Sequence, residues 1–288
     1  MPMTLIGQPP ARLRDRSRGC LIAALHRPGT ASATRLPTTW PTGPLDQPAG
    51  RVVAHARHLT NHPDVSADPP GYLEDLMAAM TVAWGATTGK AVRGTIDDDT
   101  HLLCAVPAGL LPAPLSDLGR RARLACAVLR GDPPAQQASA AVAYAVALAY
   151  RANSTRAIDR FEFCYRLAQV SDDGCLADRL ARVAALGDRS AGQATIHLAA
   201  DASDRSRISV ATAAFLRHPT QPAAAAAFAA TVADSASARI AAALAGAYGG
   251  TAALPHGWLR DATRTAAISD AADELAVLAS RRQALHSG

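Results

Sequence analysis

Three adjacent carboxylates, Asp97-Asp98-Asp99, are followed at once by the hydroxyl of Thr100. Like charges at that spacing repel, so the cluster needs a bound cation or open water. Carboxylate and hydroxyl oxygens suit hard ions such as Mg²⁺, Ca²⁺ or Mn²⁺. The plainer role is a helix start, where Asp and Thr cap free amides and favour the macrodipole. A second set of ligating residues, His55, His58 and His62, falls at i, i+3 and i+7 and shares one helix face. Imidazoles on one face suit a metal, although one straight helix rarely supplies three ligands to a single ion. Asp172-Asp173 reads as a turn and cap, and Asp201, Asp204 and Arg205 as the cap of the next helix.

The C-terminal third carries a longer pattern. It runs from Ser209 through Phe215-Leu216 and Pro219 to Ala233-Asp234-Ser235-Ala236-Ser237. An Ala-rich stretch then ends in Gly246-Ala247-Tyr248-Gly249-Gly250, followed by Leu254-Pro255-His256-Gly257-Trp258. This block resembles the last third of the ADP-ribosylglycohydrolases. There a helix opens on Asp-x-Asp-Thr and continues into a Gly-Ala-aromatic-Gly segment and a Leu-Pro-x-x-Trp turn. Asp97-Asp98-Asp99-Thr100 fills the family's upstream Thr-Asp-Asp-Thr slot. The resemblance runs through residues 18–260 in order and is specific in these two blocks.

The resemblance implies an all-α fold, a compact orthogonal helical domain, with a metal centre at the bottom of an ADP-ribose cleft. It implies metal contacts from Asp97, Asp98, Asp99, Asp234 and Ser237, with Asp98 and Asp99 as the catalytic carboxylates. Tyr248, on the adenosine side, and His26, at the start of an altered loop, become the candidate ligand contacts. Several motifs depart from the family. Asp97 stands where a Thr ligand belongs, and Ala236 stands at the second Asp of the C-terminal motif, where it binds nothing. His26-Arg27-Pro28-Gly29-Thr30 replaces a Gly-Asp core. Gln136 to Val142 and Gln169-Val170-Ser171-Asp172 replace two further ligand segments.

A centre with one carboxylate missing keeps one Mg²⁺ or other divalent ion at Asp98, Asp99 and Asp234, or none. The expected function is that of a diverged, repurposed enzyme acting on a nucleotide, ribosyl or other small polar substrate in the ancestral cleft. A non-catalytic ADP-ribose or protein-binding pseudoenzyme and a weak ADP-ribosyl hydrolase are the alternatives.

The elements that must position these groups are helices. The chain has 288 residues, is 49% hydrophobic and only 4% aromatic, and Ala dominates after residue 120. Ala favours helix over strand, and its small side chain lets helices approach closely. Helices are expected over 18–26, 50–61, from 72, 98–111, 115–130, 135–152, 154–170, 174–186, 205–217, 221–248 and 262–284. Residues 1–17 are expected as a flexible arm before one domain over 18–288, and 27–49, rich in Pro and Gly, as a long loop.

The net charge is +5, with Lys90 the one lysine. An Arg-rich, aromatic-poor chain without a basic stripe argues against nucleic acid. Arg12, Arg14, Arg16 and Arg18 cluster, but in the N-terminal arm. No apolar run reaches membrane-spanning length, and no signal peptide opens the chain. Five cysteines without a CxxC pair read as reduced thiols of a cytoplasmic protein.

Overall fold

The structure, a computed structural model, describes residues 10–26, 47–62, 69–83, 100–152, 157–187, 189–199, 201–260 and 262–286. Among these residues every regular element is helical, and the all-α expectation holds. The helices are α1 (Pro10–Leu25), α2 (Gln47–Asn61), α3 (Pro69–Ala83), α4 (Thr100–Leu103), α5 (Val106–Gly109), α6 (Leu115–Leu129) and α7 (Pro133–Arg151). They continue as α8 (Arg160–Ser171), α9 (Gly174–Leu186), α10 (Ala191–Leu198), α11 (Asp204–Arg217), α12 (Pro222–Val232), α13 (Ser235–Gly249) and α14 (Ala262–His286). Two 3₁₀ turns, Thr251–Ala253 and His256–Leu259, join the last two helices.

Helix α7 shows how sequence becomes architecture. Asp132 accepts from Ala135 N at 2.9 Å, and Pro133-Pro134 supplies a first turn that needs no amide partner. The Ala-rich run that follows has no polar face, and Ala138 to Tyr150 are buried throughout. A helix apolar on all sides must be surrounded. Accordingly, α7 packs against α6, α8, α11, α13 and the short α4 and α5. From there a circuit of neighbours closes: α8 on α9, α9 on α11, α11 on α13, α13 on α1, α1 on α14, α14 on α2, α2 on α3, and α3 on α6.

Four expectations change. Residues 10–17 are not part of an arm: they are the first half of α1, with Leu13, Arg16 and Ser17 buried. Arg16 Nη1 donates to the carbonyls of Tyr150 and Ala152 at 2.6 and 2.8 Å, and Arg18 pairs with Asp273 on α14, so both of these arginines are used inside the fold. The helix expected over 98–111 is broken into α4 and α5. Pro107 has no amide to offer the Leu103 carbonyl, and Ala105 N turns back to Leu102 O instead. The helix expected over 221–248 is two, parted at Ala233 and at Asp234, which takes extended φ and ψ of −152° and −179° to cap α13. The helix expected from 154 begins at Arg160, where Asp159 caps it.

One turn behaves as expected. Asp172 takes a left-handed conformation, φ 48°, which Asp tolerates better than most residues, and Asp173 caps α9 through Leu176 N. Of the long loop expected over 27–49, residues 47–49 belong to α2 and residues 27–46 lie outside the described residues.

Candidate functional site

Two helix starts meet through their side chains, and a residue of α4 joins them. Helix α11 opens at Asp204, and α13 opens behind its cap, Asp234. Each of these two helix N-termini presents free amides and a partial positive charge, which draws carboxylates. Asp234 Oδ1 accepts from the Ser237 amide at 2.9 Å and from the Ser237 hydroxyl at 2.8 Å. Its Oδ2 accepts from Arg207 Nε at 2.7 Å. Arg207 Nη1 donates to Asp204 Oδ1 at 3.0 Å. The other oxygen of Asp204 lies 2.9 Å from His101 Nε2. The result is a continuous chain of hydrogen bonds, His101–Asp204–Arg207–Asp234, spanning α4, α11 and α13.

The electrostatics follow from that geometry. Burial pushes both carboxyls up, but the hydrogen bonds and charges around them win, and both lie below the usual carboxylate range. For Asp234 the opposing groups are Ser237 and Arg207; for Asp204 they are His101 and Arg207. Burial also works against the Arg207 charge, and the two Asp partners outweigh it and raise its pKa. A carboxylate can only accept, so His101 Nε2 must carry the shared hydrogen. The imidazole is 1% exposed. Its Nδ1 and the Thr100 hydroxyl are both buried without a hydrogen-bond partner among the described residues. Ser139 Oγ, from the central α7, donates to the His101 carbonyl at 3.3 Å and ties this corner to the core.

The expected site residues fall in different places. Asp97, Asp98 and Asp99 lie outside the described residues. Asp234 and Ser237 are together, bonded to each other as cap and first turn. Ala236, where the family has a carboxylate, is a buried methyl. Tyr248 is 3% exposed and packs edge-on to Phe215, with the Arg16 guanidinium 5.8 Å from its ring centre. His26 stacks on Trp258 with ring centres 4.0 Å apart. The two candidate ligand contacts therefore lie in a packed aromatic interior and in a stacked pair.

Among the described residues, the donor set at Asp234 does not suit a divalent ion. One oxygen already takes two hydrogen bonds, the other faces a guanidinium, and the neighbouring carboxylate of the motif is absent. Among the described residues no group of three or more His, Cys, Asp or Glu is arranged to hold a metal. That includes the histidine stripe of α2. His55 Nδ1 donates to Cys104 O at 2.5 Å, and His58 stacks on His62 and meets Tyr72 edge-on, each with ring centres 4.4 Å apart. These rings face the core and α3. Burial lowers His55 to about 3 and His58 to about 4.

The model of the ADP-ribosylglycohydrolase family matches residues 38–285. The chain belongs to the ADP-ribosylglycohydrolase family. A solved structure described as an ADP-ribosylglycohydrolase-related protein complex aligns over 93% of this chain and 99% of its own, with a TM-score of 0.63 and 18% identity. At that identity the likeness establishes a shared ADP-ribosylglycohydrolase fold. No curated protein matches the chain. No helix among the described residues is long and apolar enough to cross a membrane.

His101 and Arg207 were not legible as site residues, and Asp204 was legible only as a cap. The one available signal was the density of charge in Asp201-Ala202-Ser203-Asp204-Arg205-Ser206-Arg207, which exceeds what a single helix start needs.

Proposed function

We propose that this ADP-ribosylglycohydrolase-family protein is a repurposed enzyme acting on a nucleotide, ribosyl or other small polar substrate, without the family's dinuclear metal chemistry. The observation that carries the reading is the His101–Asp204 pair. A buried imidazole whose Nε2 is held by a carboxylate, with Nδ1 left over, is the arrangement of a proton-transfer group. It sits beside the Thr100 hydroxyl, which has no hydrogen-bond partner among the described residues, and it follows Asp98 and Asp99 in the sequence. In this reading those two carboxylates bind and orient the polar substrate, His101 moves a proton at Nδ1, and Asp204 positions the ring. Four buried cysteines and a sequence with no CxxC pair support a reducing, cytoplasmic setting.

The test is turnover of ADP-ribose, ADP-ribosyl-arginine, nucleosides and sugar phosphates, followed by mass spectrometry with and without EDTA. Turnover that survives EDTA and is lost in His101→Gln, while ligand binding persists, supports the reading. Turnover that EDTA abolishes and Mg²⁺ restores overturns it.

A second reading, a non-catalytic ADP-ribose or protein binder, is favoured by the engagement of Asp234 and the buried methyl of Ala236. It predicts calorimetric binding of ADP-ribose with no product. The same two features weigh against a weak standard hydrolase.

A further inference from the structure

Asp204 and Asp234 belong to different helices, and nothing in the sequence joins them. In the fold each stands at a helix N-terminus, and one side chain spans them. Arg207 gives Nε to Asp234 at 2.7 Å and Nη1 to Asp204 at 3.0 Å. Its side chain is 12% exposed and that of Asp234 34%, so the arginine is largely buried where it meets the carboxylate.

We infer that Arg207 is the resident cation of this centre, holding Asp204 and Asp234 together as a divalent ion would and leaving Asp234 closed to metal. The charge balance supports it. Among the described residues, one guanidinium plus two helix N-termini, each worth about half an elementary charge, offsets two carboxylates. A divalent ion added to the same place would overshoot, and it would have to approach beside a fixed positive charge. Arginine suits the role because it stays charged when desolvated and its planar fork reaches two carboxylates at once. The inference shares Asp204 with the proposed function and Asp234 with its second reading, and it stands whether or not the protein turns over a substrate.

The test uses the full chain and Mn²⁺, with bound ion counted by electron paramagnetic resonance and stability read as Tm in EDTA and in millimolar Mn²⁺. Wild type and Asp234→Asn should give the same Mn²⁺ count and the same Tm response, whatever the Asp97–Asp99 segment contributes. Asn is itself a good cap, so that variant keeps the start of α13. Arg207→Gln leaves the two carboxylates facing each other uncompensated. It should melt several degrees lower in EDTA, recover with Mn²⁺, and bind one more ion than wild type. The Arg207→Gln/Asp234→Asn double variant should lose that gain. Arg207→Lys, which restores a positive charge, should show no gain. A wild-type Mn²⁺ site that Asp234→Asn abolishes overturns the inference. If Arg207→Gln fails to fold, the comparison of wild type with Asp234→Asn still decides it.

Discussion

Gly19 and Gly246 touch backbone to backbone where α1 crosses α13. A methyl group on Gly246 would lie 2.3 Å from the Gly19 carbonyl oxygen, and one on Gly19 would lie 2.8 Å from the Gly246 oxygen. Neither obstacle is a flexible side chain that could swing aside. Both glycines are helical, so the requirement is space rather than unusual dihedral angles.

Gly246→Ala should therefore cost more than the ~1–3 kcal/mol usual for overpacking, because only separation of the helices relieves the clash. A loss of at least about 3 kcal/mol corresponds to roughly 6–12 °C in Tm for a chain of this size. Calorimetry should show it, with Gly192→Ala as a control, since nothing lies within 4 Å of a methyl there. Equal melting of the two variants would mean the crossing is looser than described.

Arg16 closes the C-terminal end of α7 by donating to the carbonyls of Tyr150 and Ala152. Burial lowers its pKa to about 10, which leaves it charged at neutral pH. Arg16→Met should destabilise the fold by about 2–3 kcal/mol, since two buried acceptors at a helix C-terminus lose a charged donor. Chemical denaturation measures this, and a change below 0.5 kcal/mol in the same terms would refute the assignment.

The buried histidines of α2 give an acid sensitivity with a definite sign. His55 and His58 titrate near 3 and 4 in the fold and near 6.5 when unfolded. Below about pH 6.5 the unfolded chain takes up protons that the native one refuses. Stability is then full above that pH and falls progressively as pH drops towards 4 and then 3, by up to about 1.4 kcal/mol per pH unit for each ring. Urea midpoints at pH 7, 6 and 5 should decline. His58→Phe, which keeps the aromatic contact with Tyr72, should flatten part of the slope. A pH-independent midpoint over this range would contradict the burial of these rings.

Thiol chemistry offers a rapid check on the core. Cys20, Cys104, Cys126 and Cys164 are buried and Cys175 is exposed. Burial raises the Cys126 thiol to about 11 and the Cys164 thiol to about 12, and raises Cys20 further. In native buffer a disulfide reagent should modify Cys175 promptly, and the other four only on unfolding. Prompt reaction of a second thiol would indicate an opening in the helical circuit.

Much of this architecture could be read from residue patterns, and the exceptions share a cause. Helices α7 and α9 were legible because their composition and caps agree locally. Helix α10 was missed because Ala191–Leu198 is short and its signal, the Ser190 cap, is a single residue. The break at Pro107 and the early start of α1 depend on partners far away in sequence. The site shows the same division. Asp234 and Ser237 are a local cap and were found, whereas Arg207 reaches across 27 residues and His101 across 103. A one-dimensional pattern carries no trace of such pairings.

The union of α1 with α13 also constrains how the chain is made. Arg239 reaches the Ala24 carbonyl across 215 residues. At typical synthesis rates, the ribosome needs on the order of ten to forty seconds to deliver that partner. Throughout that interval the Leu21-Ile22-Ala23-Ala24-Leu25 face of α1 is without the helix that covers it in the finished protein. Helix α1 therefore waits for α13 during synthesis, and this part of the core closes only once that helix has emerged.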